Sequence, residues 1–153
     1  MSDTIDKRLE KLGITIPEAA QPVANYVTTA KSGNQLYISG QLPLIGGKPV
    51  AIGKVGAPVK EADAQKAARA CAINILAQAK AALGNLDKVK RVVKITVFVA
   101  SDPKFTNIPI VANGASDLFV EVFEDAGKHA RSAVGVAVLP MDVPVEVEAI
   151  LEI

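Results

Sequence analysis

The sequence predicts an α+β fold with the element order β-β-α-β-α-β-β, a mixed sheet with two helices on one face. Three observations carry that prediction. Residues 61–83 hold a single apolar stripe at helical spacing. Residues 89–100 alternate as a long strand. A second helical segment with one stripe separates that strand from two more. Helices that each bridge two strands, and each have only one apolar side, belong on the same side of the sheet.

The elements follow in order. Residues 4–12 read as a short helix with Ile5, Leu9 and Leu12 on one face and Gly13 as its stop. Pro17 and Pro22 mark an irregular stretch. Residues 26–31 alternate weakly, Ser32-Gly33-Asn34 turns the chain, and residues 35–39 return, which makes a hairpin. Residues 40–58 are rich in glycine and proline and read as loop. The helix over 61–83 places Ala64, Ala67, Ala68, Cys71, Ala72, Ile75, Leu76, Ala79 and Leu83 in one stripe, and Gly84-Asn85 ends it. Alanine dominates that stripe, so the helix can lie close to a sheet. In the strand over 89–100, Val93, Ile95, Val97 and Val99 are expected on one face. A second helix is expected to begin at Asn113 or Ser116, with Leu118, Phe119, Val122, Phe123 and Ala126 inward and Gly127 as its end. Strands over 132–139 and 143–153 follow, joined by a Pro140-Met141-Asp142 turn. Val93 to Val99 with Val143, Val145 and Val147 then give apolar material to more than one sheet face, and a homo-oligomer packed sheet to sheet would cover the face that carries no helix.

Composition bounds the function. A chain of 153 residues fits one domain, with residues 1–22 as an N-terminal extension. The first ten residues are polar and hold no signal sequence, and no apolar run reaches a membrane-spanning length. The only cysteine, Cys71, sits in the alanine stripe, where an inert buried thiol is expected, and suits a reducing, cytoplasmic location. Seventeen basic against sixteen acidic residues and 4% aromatics give no footprint for nucleic acid. One histidine and one cysteine cannot build a usual zinc or iron site.

Few residues stand out as chemistry. Gly46-Gly47-Lys48-Pro49 superficially suggests a phosphate loop, but Pro49 follows the lysine, and a hairpin loop is the plainer reading. His129 and Ser132 lie too close across a helix-to-strand corner for a catalytic triad. His129 is expected instead beside the C-terminus of the second helix, where its charge would suit the dipole. Arg131 opens a strand ahead of the small residues Ala133, Gly135 and Ala137. It either grips a carboxylate at the rim of the space they leave or is an ordinary surface arginine. Glu146 and Glu148 share a strand face, either solvated or with one carboxylate turned into a cleft to handle a proton. Tyr26 is either packing or a hydroxyl aimed at a ligand.

Three blocks add a resemblance. His129–Ile150, HARSAVGVAVLPMDVPVEVEAI, resembles the A-R-S-x-V-x-V-x-x-L-P-x-x-x-x-x-E-[IV]-E-A signature of the Rid family, the YjgF-like reactive-intermediate deaminases. Residues 36–43, LYISGQLP, and residues 93–99, VKITVFV, resemble two further blocks of that family. The resemblance implies a chorismate-mutase-like fold, a homotrimer, and a ligand cleft between subunits. It implies cofactor-free hydrolysis of 2-imino or 2-enamino acids to 2-oxo acids and ammonia. Arg131 would bind the substrate carboxylate and Glu146 would position or activate water. Tyr26, Gly40, Ala133 and Asn113 would line the cleft, Asn113 with a one-residue shift in alignment. Ala133 replaces a cysteine common in the deaminases, Gly135 replaces a glutamate, and Asn25-Tyr26-Val27 replaces P-Y-S. These departures, with the N-terminal extension and residues 102–113, mark a longer, divergent branch. The alternatives are a trimer that binds small carboxylates without turnover and, less well matched to the near-neutral charge, an endoribonuclease.

Overall fold

The computed structural model describes residues 4–22 and 24–153; Val23 and the first three residues of the polar N-terminal stretch lie outside them. Helix α1 (Ile5–Lys11) starts at Thr4, whose side chain accepts from the Lys7 amide. Strands β1 (Thr29–Ser32) and β2 (Gln35–Gln41) form the first hairpin, and β3 (Leu44–Ile45) with β4 (Lys48–Pro49) forms a small separate one. Helix α2 (Glu61–Leu83), strand β5 (Arg91–Ala100), helix α3 (Ile108–Phe123), strand β6 (Ala130–Val136) and strand β7 (Val145–Glu152) complete the chain. The main sheet has the order β1-β2-β7-β5-β6. All its pairs are antiparallel except β5 with β6, whose parallel crossover is made by α3.

Both long helices pack on one face, as the single stripes require. Val145, Val147, Ala149 and Leu151 of β7 meet Ala64, Ala68, Cys71 and Ile75 of α2 in one buried cluster. The N-terminal extension closes the same core: Ile5 and Leu9 are buried in it. Its Ile5 amide donates to Asp87 (2.8 Å) and Arg8 Nη1 to the Val122 carbonyl (2.6 Å). Cys71 is fully buried, and that burial pushes its thiol well above the ordinary range. Among the described residues no helix is long and apolar enough to cross a membrane.

The structure departs from the sequence reading at four places. Helix α3 begins at Ile108, five residues before Asn113, with Pro109 in its first turn, where proline costs nothing. Gly114 lies inside the helix, because a Cβ there would overlap the Gln65 carbonyl of α2; the glycine is a packing device between helices, not a breaker. In β5 the register shifts between Val92 and Lys94, so Val92 takes the buried place expected for Val93. Strand β1 starts at Thr29, leaving Tyr26 in a bend. Strand β6 ends at Val136, opposite the last residue of β5, and Val138 beyond it is 63% exposed. The Gly46-Gly47 segment is the turn of the small hairpin, both glycines having positive φ (59° and 79°).

Candidate functional site

The cleft residues expected from the sequence fall into two groups on opposite faces of the sheet. In β6, Arg131 pairs with Ile95, Ala133 with Val97 and Gly135 with Val99. The β5 partners are buried against the helices, so the odd-numbered residues of β6 also face α3. In β7, Glu146 pairs with Phe98 and lies on the other face. Arg131 and Glu146 are thus separated by the sheet, two strands apart in its order and three residues apart in register. At ordinary sheet spacings this puts their backbones roughly 14 Å apart, with side chains pointing away from each other.

The first group is a bonded cluster at the edge of the sheet. Arg131 Nη1 donates to Asn113 Oδ1 (2.8 Å) and to Ser116 Oγ (3.1 Å). Asn113 and Ser116 are three apart on α3 and share a face. Among the described residues Nη2 and Nε of Arg131 make no hydrogen bond, so this edge of the guanidinium keeps two parallel donors for a carboxylate. Ser116 Oγ is 2.9 Å from His129 Nε2, and His129 Nδ1 is 2.6 Å from the Gly127 carbonyl. Burial and the Arg131 charge hold His129 below its ordinary pKa, against the pull of the Gly127 carbonyl. His129 does sit beside the end of the second helical segment, as the sequence reading has it, but burial and Arg131 lower its pKa and oppose the charge expected there. Beyond Ala133 on the same face, a Cβ at Gly135 would come 3.0 Å from Ser101 Oγ; the glycine borders a cavity of about 470 Å³ that also meets Asp102, Thr106 and Ile108.

The second group lies on the bare face. Glu146 is half-buried, and burial first, then the charge of Glu148, pushes its carboxyl above the usual range. Its side chain lies directly against Gly40, where a Cβ would collide with Oε1; any larger residue would displace the carboxylate. The register shift between Ile38 and Gln41 places Gly40 there. Tyr26 is 53% exposed near this side, since the neighbouring Val27 carbonyl accepts from Ser39 Oγ (3.0 Å). A hollow of about 200 Å³ between Val27, Tyr37, Ser39, Glu148 and Ile150 opens on the same face.

The chain therefore brings Arg131, Asn113 and Ala133 together, and separately Glu146 and Gly40 with Tyr26 nearby. The sequence does not single out Ser116 for chemistry, and it places His129 by the helix end without its bond to Ser116. The available signals are the three-residue spacing of Asn113 and Ser116 on a helix and the two-residue spacing of His129 and Arg131 at the entry to β6. Among the described residues no group of three or more His, Cys, Asp or Glu is placed to hold a metal ion.

A chorismate-mutase-like sheet with an arginine at its β6 edge and a glutamate on its bare face defines a class. Residues 6–152 match the family described as "YjgF/chorismate_mutase-like, putative endoribonuclease", and the chain belongs to that family, the Rid family. It is 52% identical to Protein TCP17 of Trypanosoma cruzi over 155 residues, covering 99% of this chain and 96% of that one. It is 32% identical to a 2-iminobutanoate/2-iminopropanoate deaminase of Dermatophagoides farinae, covering 92% and 94%. The crystal structure of the Atu1372 protein of Agrobacterium tumefaciens superposes with a TM-score of 0.92 at 53% identity, covering 97% of this chain and 92% of that one.

Proposed function

We propose that this chain is a cofactor-free hydrolytic deaminase of 2-imino and 2-enamino acids. It releases 2-oxo acids and ammonia in clefts between the subunits of a homotrimer. The observation that carries this reading is the Arg131 guanidinium, tied down through Nη1 and free on its Nη2/Nε edge, which suits one planar carboxylate. A 2-imino acid presents that carboxylate next to an electrophilic C=N carbon. Glu146, with its raised pKa, is suited to move the protons. It takes a proton from water as the water oxygen bonds to C2, giving a tetrahedral carbinolamine. It passes that proton to the imine nitrogen, then takes the carbinolamine hydroxyl proton and delivers it to the same nitrogen as the C–N bond breaks, leaving the C=O of the 2-oxo acid and ammonia. Fixing carboxylate and water together draws on positioning, which can supply up to roughly 7–11 kcal/mol in the best intramolecular cases.

The separation of the two groups supports a cleft shared between subunits: Arg131 and Glu146 lie on opposite faces of the sheet, so the glutamate of one subunit would serve the arginine of another. The bare face also exposes Tyr37 and Val134 (42% and 44%), which a second copy would cover. A non-catalytic carboxylate binder would need Arg131 but not a proton-handling Glu146, and the raised carboxyl favours the enzyme. The charge of +1 supports an endoribonuclease poorly. The test is an assay in which a pyridoxal-phosphate dehydratase generates 2-iminobutyrate. Faster loss of the imine in the presence of this protein is expected, and an unchanged rate would refute the deaminase reading.

A further inference from the structure

We infer that His129 is a positioning residue for Arg131, acting through Ser116, with its proton fixed on Nδ1. This rests on the reading of Arg131 as the carboxylate-holding group. Gly127 fixes the tautomer. Its carbonyl has only lone pairs to offer, so the 2.6 Å contact requires the proton of a neutral imidazole to sit on Nδ1. Nε2 then carries only a lone pair, and at 2.9 Å it must take the proton of the Ser116 hydroxyl. A serine hydroxyl ordinarily rotates to suit its surroundings; here its single proton is committed to His129. Its remaining lone pairs are turned toward Arg131, and one accepts from Nη1 at 3.1 Å. Asn113 Oδ1 takes the other Nη1 proton. Two fixed acceptors on one nitrogen set the plane of the guanidinium and leave the Nη2/Nε edge as the only one open to a carboxylate.

The surroundings hold the ring in that role. Phe119 meets the imidazole edge-on, with centroids 6.0 Å apart and planes at 83°. Gly127 packs so tightly on the Phe119 carbonyl that no side chain fits there, which fixes the carbonyl beneath Nδ1. The depressed pKa of His129 agrees with a ring that stays neutral. A charged ring would instead donate from Nε2 into Ser116 Oγ, competing with Arg131 for the same lone pairs. His129 and Arg131 open the first family-signature block, whereas Ser116 lies in none of the three.

The test reads the side chains in the free protein and binding separately. Nitrogen-15 spectra of the intact chain should show His129 as the Nδ1–H tautomer and a slowly exchanging Arg131 Nη1 signal. Ser116→Ala should abolish that arginine signal and weaken binding of 2-oxobutyrate about tenfold, the loss of one hydrogen bond to a charged group. Ser116→Thr, which keeps the hydroxyl, should restore both. His129→Phe should match Ser116→Ala, and the double variant should be no worse than either, because one chain of bonds is broken in every case. An Nε2–H tautomer, an Arg131 signal indifferent to Ser116→Ala, or losses that multiply in the double variant would each overturn the inference. The tautomer is read on unaltered protein and decides the matter even where a variant does not fold. Failure of the unaltered protein to bind 2-oxobutyrate would remove the carboxylate reading of Arg131, and the spectra would still judge the relay.

Discussion

The two halves of the candidate site are built on different terms. The Arg131 half is assembled within one chain: Asn113 and Ser116 from α3, His129 and Arg131 from β6 and its approach, all joined by hydrogen bonds. The Glu146 half has no such scaffold. It consists of a carboxylate on a bare sheet face, room made by Gly40, and a second carboxylate nearby. Binding an anion demands fixed donors aimed before the ligand arrives, and fixed donors are best provided by rigid neighbours in the same chain. Handling a proton demands a shifted pKa, and a partly dry, like-charged sheet face supplies that without any donor. In the proposed homotrimer the first half is held within one chain, and the second would be closed by a neighbouring subunit.

Variants should separate the halves. The largest expected effect is Glu146→Gln, which removes the proton-handling group and should lower turnover by about 10²–10⁴-fold while binding of 2-oxobutyrate stays near its original strength. Steady-state assays alongside calorimetry would show it, and parallel loss of binding would collapse the distinction between the halves. Arg131→Ala should give the complementary result. Carboxylate affinity falls by roughly ten- to a hundredfold, matching about 1.5–3 kcal/mol for a charged hydrogen-bonded pair, and the melting temperature changes little. Gly114→Ala should press α3 away from the Gln65 carbonyl, costing about 1–3 kcal/mol of stability in denaturant melts and weakening carboxylate binding through Asn113 and Ser116. Gly40→Ala should be milder. The obstacle is the end of a flexible side chain, so stability should hold while Glu146 is displaced and turnover drops with affinity intact.

Stability should also depend on Glu146 through pH. Its pKa in the folded chain is raised, so the folded state favours the protonated carboxyl more than the unfolded chain does. Stability is then greatest below the unfolded carboxyl's value and declines as pH rises through the folded one. Glu146→Gln should flatten that decline in melts taken across the acid range. The effect is expected to be small because the group is only half-buried.

Much of the fold was legible because periodicity reports burial directly. The alanine stripe of α2 is read correctly from spacing alone, and Gly84 ends α2 as expected, with φ of 80°; Val145 and Val147, which spacing alone offers to the bare face, instead pack under α2. The start of α3 was hidden because Gly114 and Pro109 are ordinarily disruptive, and only the neighbouring helix explains the glycine. The β5 register shift was invisible for a similar reason: Val92 and Val93 are the same residue type, and their partner strand decides which is buried. At the site, Arg131 and Glu146 stood out through the resemblance. Their placement on opposite faces follows from strand pairing, which no single segment encodes. The role of Ser116 was illegible because a serine on a helix says nothing until His129 and Arg131 are brought beside it.

If one cleft takes Arg131 and Glu146 from different chains, oligomers mixed from two inactive variants should regain activity. Arg131→Ala and Glu146→Gln chains, assayed at a substrate concentration where neither alone turns over appreciably, can be unfolded together in equal amounts and refolded into mixed oligomers. Random assembly in a cyclic trimer would give about a quarter of the clefts both original side chains, since each comes from a separate chain with even odds. About a quarter of the unaltered activity should return. No recovery in oligomers demonstrated to contain both variants would contradict it.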